Sequence, residues 1–118
     1  MNRVRECQKL SSLVNQKLSQ IEELAKKGRP LDYKAATQSY GALAKDVKGY
    51  APSAPELKAL SDEYASVLES IVPAVSSYAV ALEGQDKQGI DEARRSLERL
   101  SKHQRSLVQR IDAYCLAP

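Results

Sequence analysis

The stretch Gly49-Tyr50-Ala51-Pro52-Ser53-Ala54-Pro55 divides the chain near its middle and decides how it folds. Glycine tolerates the left-handed conformation that commonly ends a helix, and proline cannot continue one. Two similar stretches, Gly28-Arg29-Pro30 and Gly84-Gln85-Asp86-Lys87-Gln88-Gly89, lie on either side of it. Four of the five glycines and three of the five prolines fall within these breaks. Three breaks leave four segments, and these have to fold against one another.

Each segment places apolar side chains three and four residues apart, which is the spacing of one helix face. The longest stripe, in the third segment, consists of Leu57, Leu60, Tyr64, Val67, Ile71, Val75, Tyr78 and Leu82. The fourth has one polar residue, Gln104, at a stripe position. No segment alternates with period two, so we predict no strands. Four stripes can bury one another around a common axis, and short loops make neighbouring helices antiparallel. The sequence therefore predicts an all-α antiparallel up-down-up-down four-helix bundle, with a coiled-coil dimer of hairpins as the alternative.

A chain of 118 residues fits a single domain, which we place at 1–118. We expect helices at about 3–27, 32–49, 54–83 and 87–115. Asp32 is predicted to cap the second helix and Asp86 the fourth, and Ser53 with Glu56 has the form of a capping box for the third. Pro73 lies inside the third helix, where a proline predicts a kink.

The two cysteines, Cys7 and Cys115, are 108 positions apart in the sequence. In an up-down-up-down bundle the start of the first helix and the end of the last are neighbours at the same end. We therefore predict a disulfide, which would close nearly the whole chain and implies periplasm, cell surface or exterior. The alternative is two buried free thiols in a cytosolic protein, since Cys7 falls on the apolar seam and Cys115 beside it.

Several kinds of chemistry lack their sequence signatures. The only histidine, His103, has basic neighbours but not the His-x-Leu-Lys-Gly sequence typical of histidine phosphotransfer domains. There is no Glu-x-x-His for a carboxylate-bridged metal site, too few Cys and His residues for zinc, and no Walker A or Gly-x-Ser-x-Gly motif. We predict no catalytic residue, no metal site and no cofactor.

Charge is unevenly distributed, although the formal net charge is only +3. The fourth helix looks basic, but Asp91 precedes Arg95 by four residues and Glu98 precedes Lys102 by four. These spacings predict intrahelical ion pairs on a solvated face. No Phe or Trp is interleaved to stack on bases, so we predict no nucleic-acid partner. The sequence contains no run of 18 apolar residues, so we predict no transmembrane segment.

The stretch Ala51-Pro52-Ser53-Ala54-Pro55-Glu56-Leu57-Lys58, opening a long third helix before a short loop and a last helix, resembles the soluble periplasmic b-type cytochromes with four-helix bundles. Helix order and lengths are also similar over most of the chain. Those proteins bind haem through a Met near the start of the first helix and a His near the end of the last. Here Cys7 and Cys115 stand in roughly those places. The resemblance implies the fold and a periplasmic setting, argues against haem, and suggests that a disulfide clamps the two helices instead.

The function expected from the sequence is that of a non-enzymatic exported binding or structural domain, clamped by a disulfide between its first and last helices. We expect a monomer, periplasmic or at the cell surface, whose adjacent termini suit a lipid tether. The expected partner is another protein, with a small molecule in the bundle interior near Pro73 as a further option. The alternatives are a cytosolic helical interaction module or chaperone, and phosphotransfer through His103.

Overall fold

The computed structural model describes residues 2–117, and helices account for almost all of them. The helices are α1 (Asn2–Lys27), α2 (Pro30–Gly49), α3 (Pro55–Glu83) and α4 (Lys87–Leu116). No strand occurs within residues 2–117, and each helix contacts the next along the chain. The predicted all-α four-helix bundle is therefore confirmed. Each helix end lies within two residues of the position expected from the sequence.

The core is distributed unequally over the four helices. The third helix supplies the largest share, including the fully buried Leu57, Tyr64 and Leu68. By contrast, α4 buries only Ala93 and Leu107, although its half-buried side chains pack against the same core. The backbones of α1 and α4 approach each other closely at few positions, whereas α2 and α3 are in extensive contact. The packing between α1 and α4 is thus the weakest of the four helix interfaces.

The third helix is long and apolar enough to cross a membrane by length and composition alone. In the bundle, the apolar side of α3 forms much of the core. Packing against the other helices therefore accounts for the apolar composition of α3. The helix continues without interruption through Pro73, whose side chain lies on the exposed side.

The beginning of α2 differs from the prediction for Asp32. Pro30 occupies the first turn, where its missing N–H has no partner to lose, and this extends the helix towards Arg29. Asp32 consequently becomes the third helical residue. Its buried carboxylate accepts hydrogen bonds from the Arg29 backbone N–H at 3.2 Å and from the Arg29 guanidinium at 2.7 and 3.0 Å. The prediction that Asp32 is the capping residue was wrong, although its side chain still satisfies a free backbone donor.

The other two predicted caps had opposite outcomes. At α3 the residue before the helix is Ala54, which provides no side-chain cap, and Pro55 begins the helix. The Ser53–Glu56 capping box was therefore wrong, because Ser53 bonds to α1 instead. At α4 the prediction is confirmed, since an Asp86 carboxylate oxygen accepts from the Gly89 N–H at 3.2 Å.

Candidate functional site

The two cysteines meet where α1 begins and α4 ends. Their Sγ atoms lie at disulfide distance, 2.01 Å apart, and their Cα atoms are separated by 6.1 Å. Both residues are half-buried, so the pair lies near the surface and not at the centre of the core. A bond between them would join positions 108 residues apart and enclose nearly the whole chain in one loop.

A second contact between the first and last helices lies beside the sulfur pair. The Arg3 guanidinium stands over the ring of Tyr114, 4.9 Å from its centroid. The same group donates a hydrogen bond of 2.8 Å to the backbone oxygen of Ala117. A cation over an aromatic face and an N–H to a free carbonyl at a helix end are both attractive. The two termini are therefore held side by side.

The loop between α2 and α3 is fastened to the same end through Glu6. The Tyr50 hydroxyl donates to the Glu6 backbone oxygen, and the Glu6 carboxylate accepts from the Ser53 N–H and, at 3.2 Å, from the Ser53 hydroxyl. Burial, followed by the nearby Glu6 charge, raises the pKa of Tyr50 and keeps it a donor. We call the region formed by residues 3–7, 50–53 and 114–117 the disulfide end.

Sequence reasoning located only part of the disulfide end. The helix order predicted that Cys7 and Cys115 would be neighbours, and the structure brings them together. Sequence reasoning did not identify Glu6, Tyr50 or Arg3 as part of the disulfide end. Their contacts depend on side-chain directions at three separate points of the chain, and no spacing pattern within one segment carries that information. The only available signal was Ser53 with Glu56, and it pointed to a different partner.

His103 lies on the exposed surface between α3 and α4, away from the disulfide end. Its Nε2 is 3.8 Å from a carboxylate oxygen of Glu63, and that same oxygen accepts from Arg110. More than half of the His103 side chain is exposed. The group beside the imidazole is thus a carboxylate already paired with Arg110, and this contact adds no support to phosphotransfer.

Pro73 lines an open groove of about 630 Å³ between the end of α3 and the start of α4. Its walls include Ala74, Ser77, Ala81 and Ala93, which are small side chains. The groove is on the outside of the bundle, so a ligand there would lie against the helix surfaces and not in the interior. A second groove of about 630 Å³ lies between α3 and α4 nearer the disulfide end, lined in part by Leu60, Arg110 and Tyr114.

Within residues 2–117, no group of three or more His, Cys, Asp and Glu side chains is placed to hold a metal ion. No family model, curated protein or solved structure matches this chain. The likeness to the cytochrome bundles consequently rests on the sequence pattern described above. Of the features that the structure describes, the disulfide end is the one where several elements converge through specific side-chain contacts.

Proposed function

We propose that this chain is a non-enzymatic exported domain, with a binding or structural role, whose fold is clamped by an oxidised Cys7–Cys115 pair. The periplasm or the cell surface is its proposed location. The observation that carries the proposal is the position of the sulfur pair. It joins α1 to α4 at the interface where the two backbones otherwise approach each other least.

A covalent link is most effective at such an interface. Closing a loop of about 100 residues stabilises a fold by about 4–5 kcal/mol in the loop-entropy account, although measured gains are often smaller. Disulfides persist in oxidising compartments and are rare in the cytosol. The need for a link across the weakest interface, together with the compartment in which such a link survives, supports export.

The convergence of both termini at the disulfide end supports a tethered arrangement. Arg3 is bonded to Ala117, so the chain enters and leaves the bundle at neighbouring points. An anchor upstream of Asn2 would then attach at one end of the long axis of the bundle, whose extents are 51 × 21 × 20 Å. The opposite end and the helix sides would be left accessible to a partner, which we propose to be another protein.

The test combines thiol trapping with fractionation of the source cells. Cells are quenched in acid, fractionated and treated with a thiol alkylating reagent without reductant, and the intact mass of the protein is measured. Export with an oxidised pair predicts no alkylation and a location outside the cytosol. A Cys7→Ser/Cys115→Ser variant, which has no thiol to alkylate, is the control for mass added at other side chains.

Two alkylated thiols on protein recovered from the cytosol would overturn the proposal and favour the cytosolic interaction module. Recovery outside the cytosol with both thiols free would retain export and reject the clamp. The two parts of the proposal therefore fail separately. A recombinant preparation from a reducing host is not a substitute, because its cytosol reduces thiols independently of the protein's natural location.

A further inference from the structure

Within residues 2–117, the ion pairs between helices lie at two interfaces, α2 with α3 and α3 with α4. Lys34 of α2 pairs with Glu83 of α3 at 2.5 Å, and Lys48 of α2 pairs with Glu69 of α3 at 3.6 Å. Arg110 of α4 pairs with Glu63 of α3. Each of these pairs uses a carboxylate of α3. The acidic side chains of α3 are thus largely neutralised by cations on the neighbouring helices.

The middle of α4, by contrast, is rich in basic side chains. Residues 94–105 contain five Lys or Arg and a single acidic residue, Glu98. Arg94 interacts with the hydroxyl of Tyr78, which raises the pKa of its guanidinium. The other four side chains, which we call the basic stretch, are exposed: Arg95, Arg99, Lys102 and Arg105.

The intrahelical pairs predicted for this stretch are not formed. Neither Asp91 with Arg95 nor Glu98 with Lys102 is among the ion pairs that residues 2–117 make. The prediction of these two ion pairs was wrong, whereas the face is exposed to solvent as predicted. None of the four cations of the basic stretch forms an ion pair within residues 2–117, which leaves them available to a partner outside the chain.

The shape of this surface favours a broad partner over a narrow one. Ala93 and Leu107 mark the buried side of α4, and the basic stretch lies on the outer, exposed side. The two grooves of about 630 Å³ lie between α3 and α4. Arg99 lines the groove near Pro73, whereas Arg95, Lys102 and Arg105 line neither. Cations that face outward along one side of a helix can contact a flat anionic surface together. They do not surround a small ligand as the walls of a pocket do.

The surface also lacks the aromatic anchors typical of protein partners, and arginine is the one such residue type that it offers. Binding energy at protein interfaces concentrates in Trp, Tyr and Arg side chains that fill pockets. The chain has no Trp, and none of its six Tyr is exposed. Base stacking by single-stranded nucleic acid would need the same exposed rings. Several exposed Lys and Arg side chains along one helix, without aromatic anchors, are typical of a protein surface that binds anionic lipid electrostatically.

We propose that the basic stretch of α4 binds the surface of a membrane rich in anionic phospholipid, with the bundle lying along the bilayer. No side chain has to enter the hydrocarbon. The interaction depends on phosphate-bearing headgroups and on the net charge of the leaflet. This inference does not require export or an oxidised cysteine pair, so it stands or falls separately from the proposed function.

The experiment is sedimentation of the purified protein with vesicles. One set contains equal parts phosphatidylglycerol and phosphatidylcholine, and the other contains phosphatidylcholine alone. We expect binding to the anionic set only, and its loss on raising salt from about 0.1 M to about 1 M, which shortens the Debye length from about 10 Å to about 3 Å. Each Lys or Arg near an anionic surface strengthens binding roughly fivefold. The Arg95→Glu/Lys102→Glu variant should therefore bind at least about tenfold more weakly.

The matched control is Lys9→Glu/Lys45→Glu, which makes the same change in net charge at exposed cations of α1 and α2. Circular dichroism checks that both variants are folded. Equal loss in the two variants would overturn the proposal, because it would reflect net charge and not the basic stretch. Absence of wild-type binding to the anionic vesicles would overturn it too. So would preferential binding of duplex DNA or of polyglutamate over those vesicles, which would favour a different class of partner.

Discussion

Tyr64 explains the polar residue in the apolar stripe of α4. It is the largest fully buried side chain of the core, and its hydroxyl needs a partner there because an unpaired buried donor is costly. The Gln104 side-chain amide lies 3.0 Å from that hydroxyl and donates to it. From the sequence Gln104 interrupts the stripe, but in the structure it satisfies the hydroxyl that Tyr64 brings into the core.

The two partners should respond differently to substitution. Tyr64→Phe leaves the half-buried Gln104 able to bond to water and should cost about 1 kcal/mol of unfolding free energy. Gln104→Leu leaves the Tyr64 hydroxyl buried without its partner and should cost about 1–3 kcal/mol. Urea denaturation of the two single variants and the double variant measures this. A double variant whose loss equals the sum of the single losses would contradict the pairing.

Asp32 gives a prediction about acid stability. Hydrogen bonding to Arg29, the main cause, lowers the pKa of this carboxyl in the folded protein, although burial opposes the shift. A carboxyl with a lowered folded pKa stabilises the fold above its unfolded pKa of about 3.9, and this contribution is lost as the pH falls through the folded value.

We therefore expect Asp32→Asn to be less stable than the wild type at neutral pH, and the difference to shrink as the pH falls below about 4. Thermal unfolding followed from neutral to strongly acidic pH tests this. Asp46, an exposed carboxylate on the same helix for which no ion pair is formed within residues 2–117, supplies the control as Asp46→Asn. A wild-type-to-variant difference that is independent of pH would refute the assignment.

At the scale of single helices, two glycines have opposite expected responses. A Cβ on Gly89, in the first turn of α4, would lie 2.6 Å from the Asp86 carboxylate and 3.1 Å from the Ala81 Cβ. Asp86 cannot turn away without giving up its cap, and Ala81 belongs to the packed side of α3. A Cβ on Gly41, inside α2, would meet nothing within 4 Å.

Gly89→Ala should thus destabilise the protein by about 1–3 kcal/mol through overpacking, despite the better helix propensity of alanine. Gly41→Ala should stabilise it by about 0.5–1 kcal/mol, because alanine is favoured in a helix interior. The midpoints of urea unfolding give both values. The same sign for the two substitutions would contradict the tight packing of α3 against α4 near Gly89.

The helices themselves were predictable because their determinants are local. Gly28, Pro30, Pro52 and Pro55 mark ends within a few residues, and the stripes define the buried side of each segment. The errors arose where a nearby candidate competed with a distant partner. Ser53 had Glu56 three residues away but bonds to Glu6, which only the assembled bundle brings close.

The position of the sulfur pair depends on the whole molecule, because Cys7 and Cys115 become neighbours only through the number and direction of the helices. Its position in the fold was predictable from an even number of antiparallel helices. The Arg3–Tyr114 contact and the Glu6 hydrogen bonds beside it were not, because they depend on the rotation of each helix about its own axis. The unpaired state of the basic stretch was missed for a similar reason, since correct spacing does not guarantee that two side chains meet.

With the pair oxidised, Cys7→Ser/Cys115→Ser should lower the unfolding free energy by about 2–5 kcal/mol. The loss comes chiefly from the larger freedom of the unfolded chain. Urea denaturation of both proteins, with reductant added to the wild type as a second comparison, provides the measurement. Reduced wild type and the double variant should then agree, and an unfolding midpoint unaffected by either treatment would contradict a stabilising clamp.

The closure at the disulfide end has a mechanical consequence. If the oxidised protein is pulled by its two ends, tension enters at residue 7, crosses the sulfur atoms and leaves at residue 115. The three loops and nearly all of the helical bundle lie outside that load path and carry no force. A domain tethered at one terminus and attached to a partner at the other would behave as a short inextensible link, whereas the reduced protein would unravel and lengthen under the same load.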